Sequence, residues 1–447
     1  IGVIMSDKPI CLVTAPVGTR SGYGAHSRDI CRALINLDRY DIRIWPVRWG
    51  ATPQNALHMD DPNDKPIIDR LLQNPQLERQ PELHIHTVIP NEFSAVGKYN
   101  IGITAGLETT TCPPNWLEGI NRMDLNIVPS KFVKKTLSDI RFDVQDEKTN
   151  QKIGELKCEK PIEVLFEGVD TNIYKQTKEF SKSLVDEMNK IDEVFNFLYV
   201  GHWLQGGIGH DRKDTGMLVK VFLETFKNLK KKPALIMKTS GAGFSVIDRE
   251  TMLSKINDIK STVDGDLPNI YLLHGDFTDT EINELYNHPK VKAHVSLTHG
   301  EGFGRPLLEA SLSEKPIIAS NWSGHLDFLK KPNALLLDGS LTDVQKGSFP
   351  DEFHVDGSKW FTVNYQLASS TMKEVYKSHR KYVLGAKKLA AYNKTKFSLD
   401  SMTKEFGRIL DKYVPEFPKE VKLQLPKLQK VGSTETPKIK LPKLKKV

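Results

Sequence analysis

Short β-rich runs alternate with longer amphipathic stretches along most of the chain, and this alternation is the feature that most constrains the fold. It is typical of α/β domains, in which helices cover both faces of a parallel sheet. The pattern therefore predicts an α/β chain with two doubly wound sheets in tandem, and 447 residues suffice for two such domains. The predicted strands lie at 10–14, 42–46, 83–88, 101–105, 125–128 and 162–166, and at 195–200, 234–238, 270–274, 293–297 and 316–319.

The seam between the two predicted sheets lies near 168–190. Helical spacing follows the second sheet at 370–392 and 398–413, and a polar insertion at 145–160 is expected to form an exposed hairpin or loop. Four segments are predicted: a Rossmann-like domain at 5–170, a second at 171–395, a C-terminal helix at 396–417 that can pack back on the first domain, and a tail at 418–447.

Composition and cysteine spacing exclude several classes of protein. No apolar run approaches the roughly 20 residues that a membrane-spanning helix needs. Cys11, Cys31, Cys112 and Cys158 have neither CxxC nor zinc-finger spacing, so we expect no disulfide scaffold and no structural zinc. The same cysteine usage leads us to expect a reducing compartment, the cytoplasm. The start, Ile1 to Met5, is too short for a signal-peptide core, and Met5 is the expected initiator.

The net positive charge of the chain lies in its last thirty residues. Residues 418–447 contain nine lysines and two glutamates, which equals the net charge of +7 of the whole chain, so the rest is neutral. The segment 422–431 recurs at 438–447, with Lys alternating with Leu or Ile around a central proline that forbids a helix interior. Each copy is expected to be extended, either as a solvated tail or as a segment that docks on a partner or a phosphate backbone.

The strongest local motif is 299–309, which follows a predicted strand with a glycine-rich turn and the start of a helix. Gly302 and Gly304 allow close approach to the backbone, and the helix start favours an anion. Glu301 lies at the mouth of the turn, while Glu309 can accept hydrogen bonds from neighbouring hydroxyls. Phosphate and hydroxyl recognition together suit a sugar nucleotide, although an ordinary strand–helix connection with exposed glutamates has the same pattern.

The spacing Glu301-x7-Glu309 resembles that of retaining glycosyltransferases of family 4, which have the two-domain GT-B fold. The resemblance covers about 9–413 and excludes the tail. At 318–324, Ile-Ala-Ser-Asn-Trp-Ser-Gly stands where the family often has a Gly-Gly turn. The other segments that carry the resemblance are 21–24 (Ser-Gly-Tyr-Gly), 127–133 (Ile-Val-Pro-Ser-Lys-Phe-Val), 167–170 (Glu-Gly-Val-Asp), 199–201 (Tyr-Val-Gly) and 211–214 (Asp-Arg-Lys-Asp).

This resemblance implies a nucleoside-diphosphate sugar as donor, held in the second domain without a metal ion or a further cofactor. Arg212 and Lys213 would neutralise the diphosphate, Glu309 would bind the ribose hydroxyls, and Glu301 would contact the transferred sugar. Further donor-binding residues implied by position are Gly302, Phe303 and Gly304 through backbone amides, Gly22 and Gly24 as the opposite wall, Lys238 near the phosphates, and His274 near the nucleobase.

Retention of anomeric configuration is implied by the resemblance alone. No carboxylate is placed as a nucleophile on the opposite sugar face, so front-face attack is expected, with the departing phosphate taking the proton of the acceptor. In the first domain, His86 or Glu108 could orient the acceptor. A core histidine and a helix-capping glutamate are the structural alternatives for these two residues.

The acceptor stays open at this stage. Segments 14–27 and 90–111 look similar to glycosyltransferases of tailed phages of cyanobacteria, relatives of phages that glycosylate hydroxymethylated cytosine in DNA. A cationic tail would suit DNA, an acidic partner or a clamp-like partner in the host cytoplasm. A polysaccharide or lipid-linked acceptor is the alternative. A sugar-nucleotide 2-epimerase and a non-catalytic virion or scaffold protein remain as rival functions.

Overall fold

The computed structural model describes residues 8–146, 148–241 and 243–418. The elements below belong to the compact unit that ends at Pro415. Met5 and the lysine-rich tail from residue 419 onward lie outside the described residues, so the expectations placed on them stay untested. Among the helices of the described part, none is both long and apolar enough to cross a membrane.

The first sheet is wholly parallel, with strand order β2-β1-β3-β4-β5-β8. Its strands read as nearly continuous apolar runs because helices cover both faces. This part of the chain contains β1 Ile10–Ala15, α1 Gly22–Leu37, β2 Asp41–Pro46, α2 Lys65–Ile68, β3 Leu83–Thr87, β4 Tyr99–Ile103, α3 Pro114–Arg122, β5 Leu125–Val128, α4 Lys131–Asp139, β6 Arg141–Gln145, β7 Lys152–Lys157 and β8 Ile162–Val164.

The second sheet is also parallel, with strand order β11-β10-β9-β12-β13-β14. Its part of the chain contains α5 Lys182–Asn189, β9 Asn196–His202, α6 Thr215–Phe226, β10 Ala234–Ser240, α7 Val246–Ser261, β11 Ile270–Leu273, α8 Asp279–Asn287, β12 Val291–Ser296, α9 Arg305–Ser311, β13 Ile317–Ser320, β14 Leu335–Leu337, β15 Gly339–Asp343, β16 Lys359–Val363, α10 Tyr365–Lys396 and α11 Leu399–Tyr413. Single 3-10 turns lie at Pro90–Glu92, Gly324–Asp327 and Asp351–Phe353.

These two sheets confirm the predicted fold class, two tandem Rossmann-like α/β sheets. Each predicted strand forms within a few residues of its expected place. The prediction missed β14 and the antiparallel pair β15–β16, whose short runs carry little periodicity. The polar insertion, expected as an exposed hairpin or loop, contains β7 and the turn of a hairpin in which β7 pairs with β6.

The last helix returns to the first sheet. Met402, Phe406 and Leu410 of α11 are buried in the same core as α1 and strands β1 to β5. An isolated parallel β-bridge between Val169 and Ser398 joins the chain after β8 to the chain just before α11. We call the first sheet with α1–α4 and α11 the first lobe, and the second sheet with α5–α10 the second lobe.

Candidate functional site

The glycine-rich turn after β12 lies against the first lobe. A Cβ added to Gly302 would lie 2.0 Å from the carbonyl oxygen of Ala105, so only glycine fits this approach. Gly304 has φ +94° and caps the start of α9, a conformation that side chains other than glycine rarely adopt. Ser130 Oγ donates to the Gly302 carbonyl at 2.6 Å. The turn is therefore fixed between the two lobes, at the carboxyl end of the second sheet.

The predicted phosphate-binding pair lies at this turn. Lys213 Nζ is 2.5 Å from Glu301 Oε1, and both side chains are largely buried. Arg212 forms an ion pair with Glu108, which comes from the first lobe. The backbone holds this geometry because the Asp211 carboxylate accepts N–H groups at the start of α6, at 2.9 and 3.1 Å. The structure thus brings together Arg212, Lys213, Glu301 and Glu108.

Glu301 stays ionised in this environment. Burial alone would raise its pKa, but the charges of Lys213 and Arg212 outweigh burial and hold the pKa below its usual value. Ser323 Oγ accepts the backbone N–H of Glu301 at 2.9 Å. His325 is buried beside Gly304; its Nε2 donates to the Ser320 carbonyl at 2.7 Å. Its Nδ1 has no hydrogen-bond partner among the described residues.

Glu309 is held by an arginine that also joins the lobes. Arg305 Nε donates to Glu309 Oε1 at 2.8 Å, and its Nη1 donates to Asp29 Oδ2 of α1 at 2.5 Å. Burial raises the pKa of Glu309 to about 7, against the opposing charge of Arg305. Burial also raises the pKa of nearby Glu167 to about 8. Three buried carboxyl groups therefore surround one guanidinium.

The raised pKa of Glu167 predicts a measurable pH dependence of stability. Its folded-state pKa of about 8 lies above its ordinary value of 4.5, so between these values the folded state binds more protons than the unfolded state. The wild-type protein then loses stability as pH rises through this window. Glu167→Gln cannot ionise, so we expect it to gain about 1 kcal/mol or more over wild type at pH 8 but not at pH 4.5.

Urea unfolding at pH 4.5, 6.5 and 8 would measure this difference. The exposed Glu250 provides the control substitution Glu250→Gln, which should show no such trend. If the difference in free energy of unfolding between Glu167→Gln and wild type stays constant with pH, the pKa of Glu167 is not raised.

The glycine loop of the first lobe has two different glycines. A Cβ at Gly24 would lie 2.2 Å from the Thr19 carbonyl oxygen, so this glycine is required by the turn itself. The Cβ position of Gly22 meets open space. Between them, Tyr23 Oη lies 2.8 Å from Thr104 Oγ1 and accepts the N–H of Ala105 at 3.1 Å. This tyrosine therefore links the loop to Ala105, the residue that lies against Gly302 of the glycine-rich turn.

Lys238 and His274 form a separate group at the ends of β10 and β11. Lys238 Nζ donates to the Gly275 carbonyl at 2.9 Å and lies over the rings of Phe244 and Phe277. Burial lowers the pKa of Lys238 to about 8, although Asp276 opposes the shift. His274 pairs with Asp248 at 2.7 Å. No contact among the described residues joins either side chain directly to Arg212 or Lys213.

His86 and Phe303 are placed as core residues. Burial lowers the pKa of His86 to about 4, so it is neutral, and its Nδ1 accepts the N–H of Ser94 at 3.1 Å. Phe303 is buried against Phe328 and Phe397, so only its backbone can face the cleft. Within the described residues, no group of three His, Cys, Asp or Glu side chains is arranged to hold a metal ion.

Sequence reasoning overlooked Arg305, Ser323, His325 and Tyr23. Arg305 had a signal, because it lies four residues before Glu309 on the same helix and an i,i+4 ion pair is expected there. Ser323 lies in the segment 318–324, which differs from the family's Gly-Gly turn, and His325 follows it directly. Nothing in the sequence there indicated a contact with Glu301 or Gly304.

Comparison with solved structures supports the fold assignment. HepE from Anabaena, solved with UDP and glucose, covers 90% of this chain and 100% of its own at TM-score 0.58 and 13% identity. Sucrose-phosphate synthase from Thermosynechococcus elongatus covers 91% of this chain and 98% of its own, at TM-score 0.60 and 12% identity. A glycosyltransferase from Rickettsia africae covers 92% of this chain and 100% of its own, at TM-score 0.57 and 15% identity.

These likenesses show the GT-B fold, two Rossmann-like sheets that face a common cleft, for this chain. No protein-family model matches the chain, and no curated protein sequence matches it. The identities of 12–15% establish the architecture and leave the chemistry to be argued from the site.

Proposed function

We propose that the chain is a retaining, metal-independent glycosyltransferase that uses a nucleoside-diphosphate sugar. The observation that carries the proposal is the contact of Lys213 with Glu301, with Arg212 alongside in the cleft between the lobes. Two cations beside a glycine-rich turn suit a diphosphate, and a buried ionised carboxylate suits sugar hydroxyls. The likeness to a protein solved with UDP-glucose makes that compound the first donor to test.

The proposed reaction breaks the bond between the anomeric carbon and the β-phosphate oxygen and forms a bond to an acceptor oxygen on the same face. The acceptor proton passes to the departing phosphate oxygen, so no protein base is required. Arg212 and Lys213 stabilise the negative charge that develops on the leaving diphosphate. Glu301 and Glu309 orient the sugar and the ribose, and Glu108, which pairs with Arg212, is the proposed contact of the acceptor once Arg212 binds phosphate.

For the acceptor we propose hydroxymethylated DNA, with a polysaccharide or lipid-linked hydroxyl as the alternative. The cationic segment 418–447 supports the first, since phosphate contacts give sequence-independent affinity. The proposed compartment is the cytoplasm, that of the host if a phage encodes the chain. Mass spectrometry of each acceptor class after incubation with the donor would distinguish them, and donor turnover without any acceptor would favour the epimerase.

Removing either glutamate of the motif should nearly abolish transfer. We expect Glu301→Ala and Glu309→Ala each to lower the rate about 10²-fold or more, since each removes a contact to the bound donor. Transfer of radiolabelled sugar measures the rate, and melting curves check that both variants fold. Glu250→Ala removes an exposed glutamate of the same lobe and should behave as wild type. Unchanged transfer in both motif variants would refute the donor site.

A further inference from the structure

An open groove lies at the opposite end of the second sheet from the candidate donor site. It has a volume of about 510 Å³ and adjoins the break in α10. We call this groove the kink pocket. Its lining residues are Phe195, Lys292, Tyr376, Lys377, Ser378, His379, Arg380 and Lys381.

The break in the helix builds one wall of the kink pocket. Ser378 has φ −124° and ψ 34°, which interrupts α10 and starts a second helical section. The first N–H groups of a helical section lack acceptors within the helix. His379 Nε2 donates to the Lys292 carbonyl at 2.8 Å, and the Phe195 ring packs edge-on against Tyr376 and His379. The wall is thus attached to β12 by specific contacts.

The lining carries positive charge without acidic residues. Lys292, Lys377, Arg380 and Lys381 are cations, and none of the lining residues is Asp or Glu. Lys381 forms an ion pair with Glu374, in which Nζ and Oε1 are 3.4 Å apart. Among the residues that the structure describes, the other three cations form no ion pair.

Two further lysines near the pocket, Lys315 and Lys290, form no ion pair with a carboxylate of the described residues. Lys315 Nζ donates to the His288 carbonyl at 2.7 Å, and Lys290 Nζ donates to the Met188 carbonyl at 2.9 Å. Burial lowers the pKa of His288 to about 4, and Lys315, Lys290 and Lys292 contribute to the shift. Burial first, and then Lys292 and Lys315, also lower the pKa of His379, although its bond to the Lys292 carbonyl opposes them. The region therefore has an excess of positive charge that an anion would offset.

We propose that the kink pocket binds a phosphate group, as a second anion site separate from the donor site. Arg380 offers a planar fork of N–H donors, and Lys292 and Lys377 add point charges around the same cavity. Lys292 lies at the amino end of β12, whereas Glu301 follows its carboxyl end, so about 15–20 Å of strand separates the two sites. The half-buried rings of Phe195 and Tyr376 add an apolar surface beside the charges.

Isothermal titration of the full-length protein with inorganic pyrophosphate tests the proposal. We expect Lys377→Ala/Arg380→Ala to lose one binding event, or to bind about tenfold or more weakly at that event. Lys377 and Arg380 are exposed, and so are Lys387 and Lys388 of the same helix, which lie outside the pocket. Lys387→Ala/Lys388→Ala therefore removes the same charge at matched exposure and should bind as wild type. The charge-preserving Lys377→Arg/Arg380→Lys should retain most of the binding.

The proposal would be overturned if Lys377→Ala/Arg380→Ala and Lys387→Ala/Lys388→Ala bind pyrophosphate with equal affinity, either both as wild type or both more weakly. Arg212→Ala/Lys213→Ala should still bind pyrophosphate at the kink pocket. If this variant also binds UDP-glucose as wild type does, the proposed donor site is wrong, and that result is independent of the test of the kink pocket. A short DNA oligonucleotide is the second probe. Tighter binding of DNA than of pyrophosphate, lost in Lys377→Ala/Arg380→Ala, assigns the phosphate to a polynucleotide; the reverse order assigns it to a free phosphorylated compound.

Discussion

Lys213→Ala is expected to lower the rate of sugar transfer about 10²- to 10³-fold, the range found when a fixed stabiliser of transition-state charge is removed. The ammonium of Lys213 lies 2.5 Å from Glu301, in a largely buried position where charges act strongly. Its loss removes stabilisation of the leaving diphosphate and also leaves Glu301 buried with less compensation. Steady-state turnover of UDP-glucose with a fixed acceptor measures the effect.

Two matched variants make this result specific. Lys220→Ala changes a lysine of α6 that lines a surface groove between α6 and the start of α10, and its turnover should stay near wild type. Lys213→Arg keeps the charge and should recover part of the rate. Turnover of Lys213→Ala within about twofold of wild type would contradict its assignment to the leaving group.

Arg305→Met is expected to lower the free energy of unfolding by about 3–5 kcal/mol at pH 7, the usual cost of removing one partner of a buried ion pair. Arg305 is buried between Asp29 and Glu309, and its charge also opposes the raised pKa of Glu167. Without it, the carboxyl groups must take up protons or stay charged without compensation.

Urea unfolding at pH 7 and pH 5 would measure this loss. The variant should be less impaired at pH 5, because carboxyl groups with a raised folded-state pKa are protonated at low pH and regain their charge as pH rises. Arg408→Met is the control, since Arg408 pairs with Glu405 on the exposed face of α11, where ion pairs contribute little. A loss for Arg305→Met no larger than for Arg408→Met would show that the network is not stabilising.

The strands of both sheets could be predicted because parallel strands buried on two faces give apolar runs that stand out from the amphipathic helices. The run at 195–200 became β9 in this way. In contrast, β14 has three residues, and β15 has the polar sequence Gly-Ser-Leu-Thr-Asp, which pairs with β16 because tertiary contacts supply what the local pattern lacks.

Residues of the candidate site could be predicted where they belong to one motif of adjacent positions. They were harder to predict where a contact joins residues that are distant in the sequence. The turn at 299–309 and the pair Arg212–Lys213 could each be identified from the sequence. The contact between Lys213 and Glu301, however, depends on the tertiary fold. Glu108 was expected near the acceptor, and only the folded chain places it on Arg212. Asp29 had no signal at all, because its partner Arg305 lies 276 residues away.

The most direct test of the central claim is a crystal structure of the protein with UDP-glucose. We expect the pyrophosphate between the lobes, with phosphate oxygens about 3 Å from the Arg212 guanidinium, from Lys213 Nζ and from the backbone amides at Gly302–Gly304. Nucleotide density at another place, or an unoccupied cleft at saturating UDP-glucose and at saturating GDP- and ADP-glucose, would contradict the account.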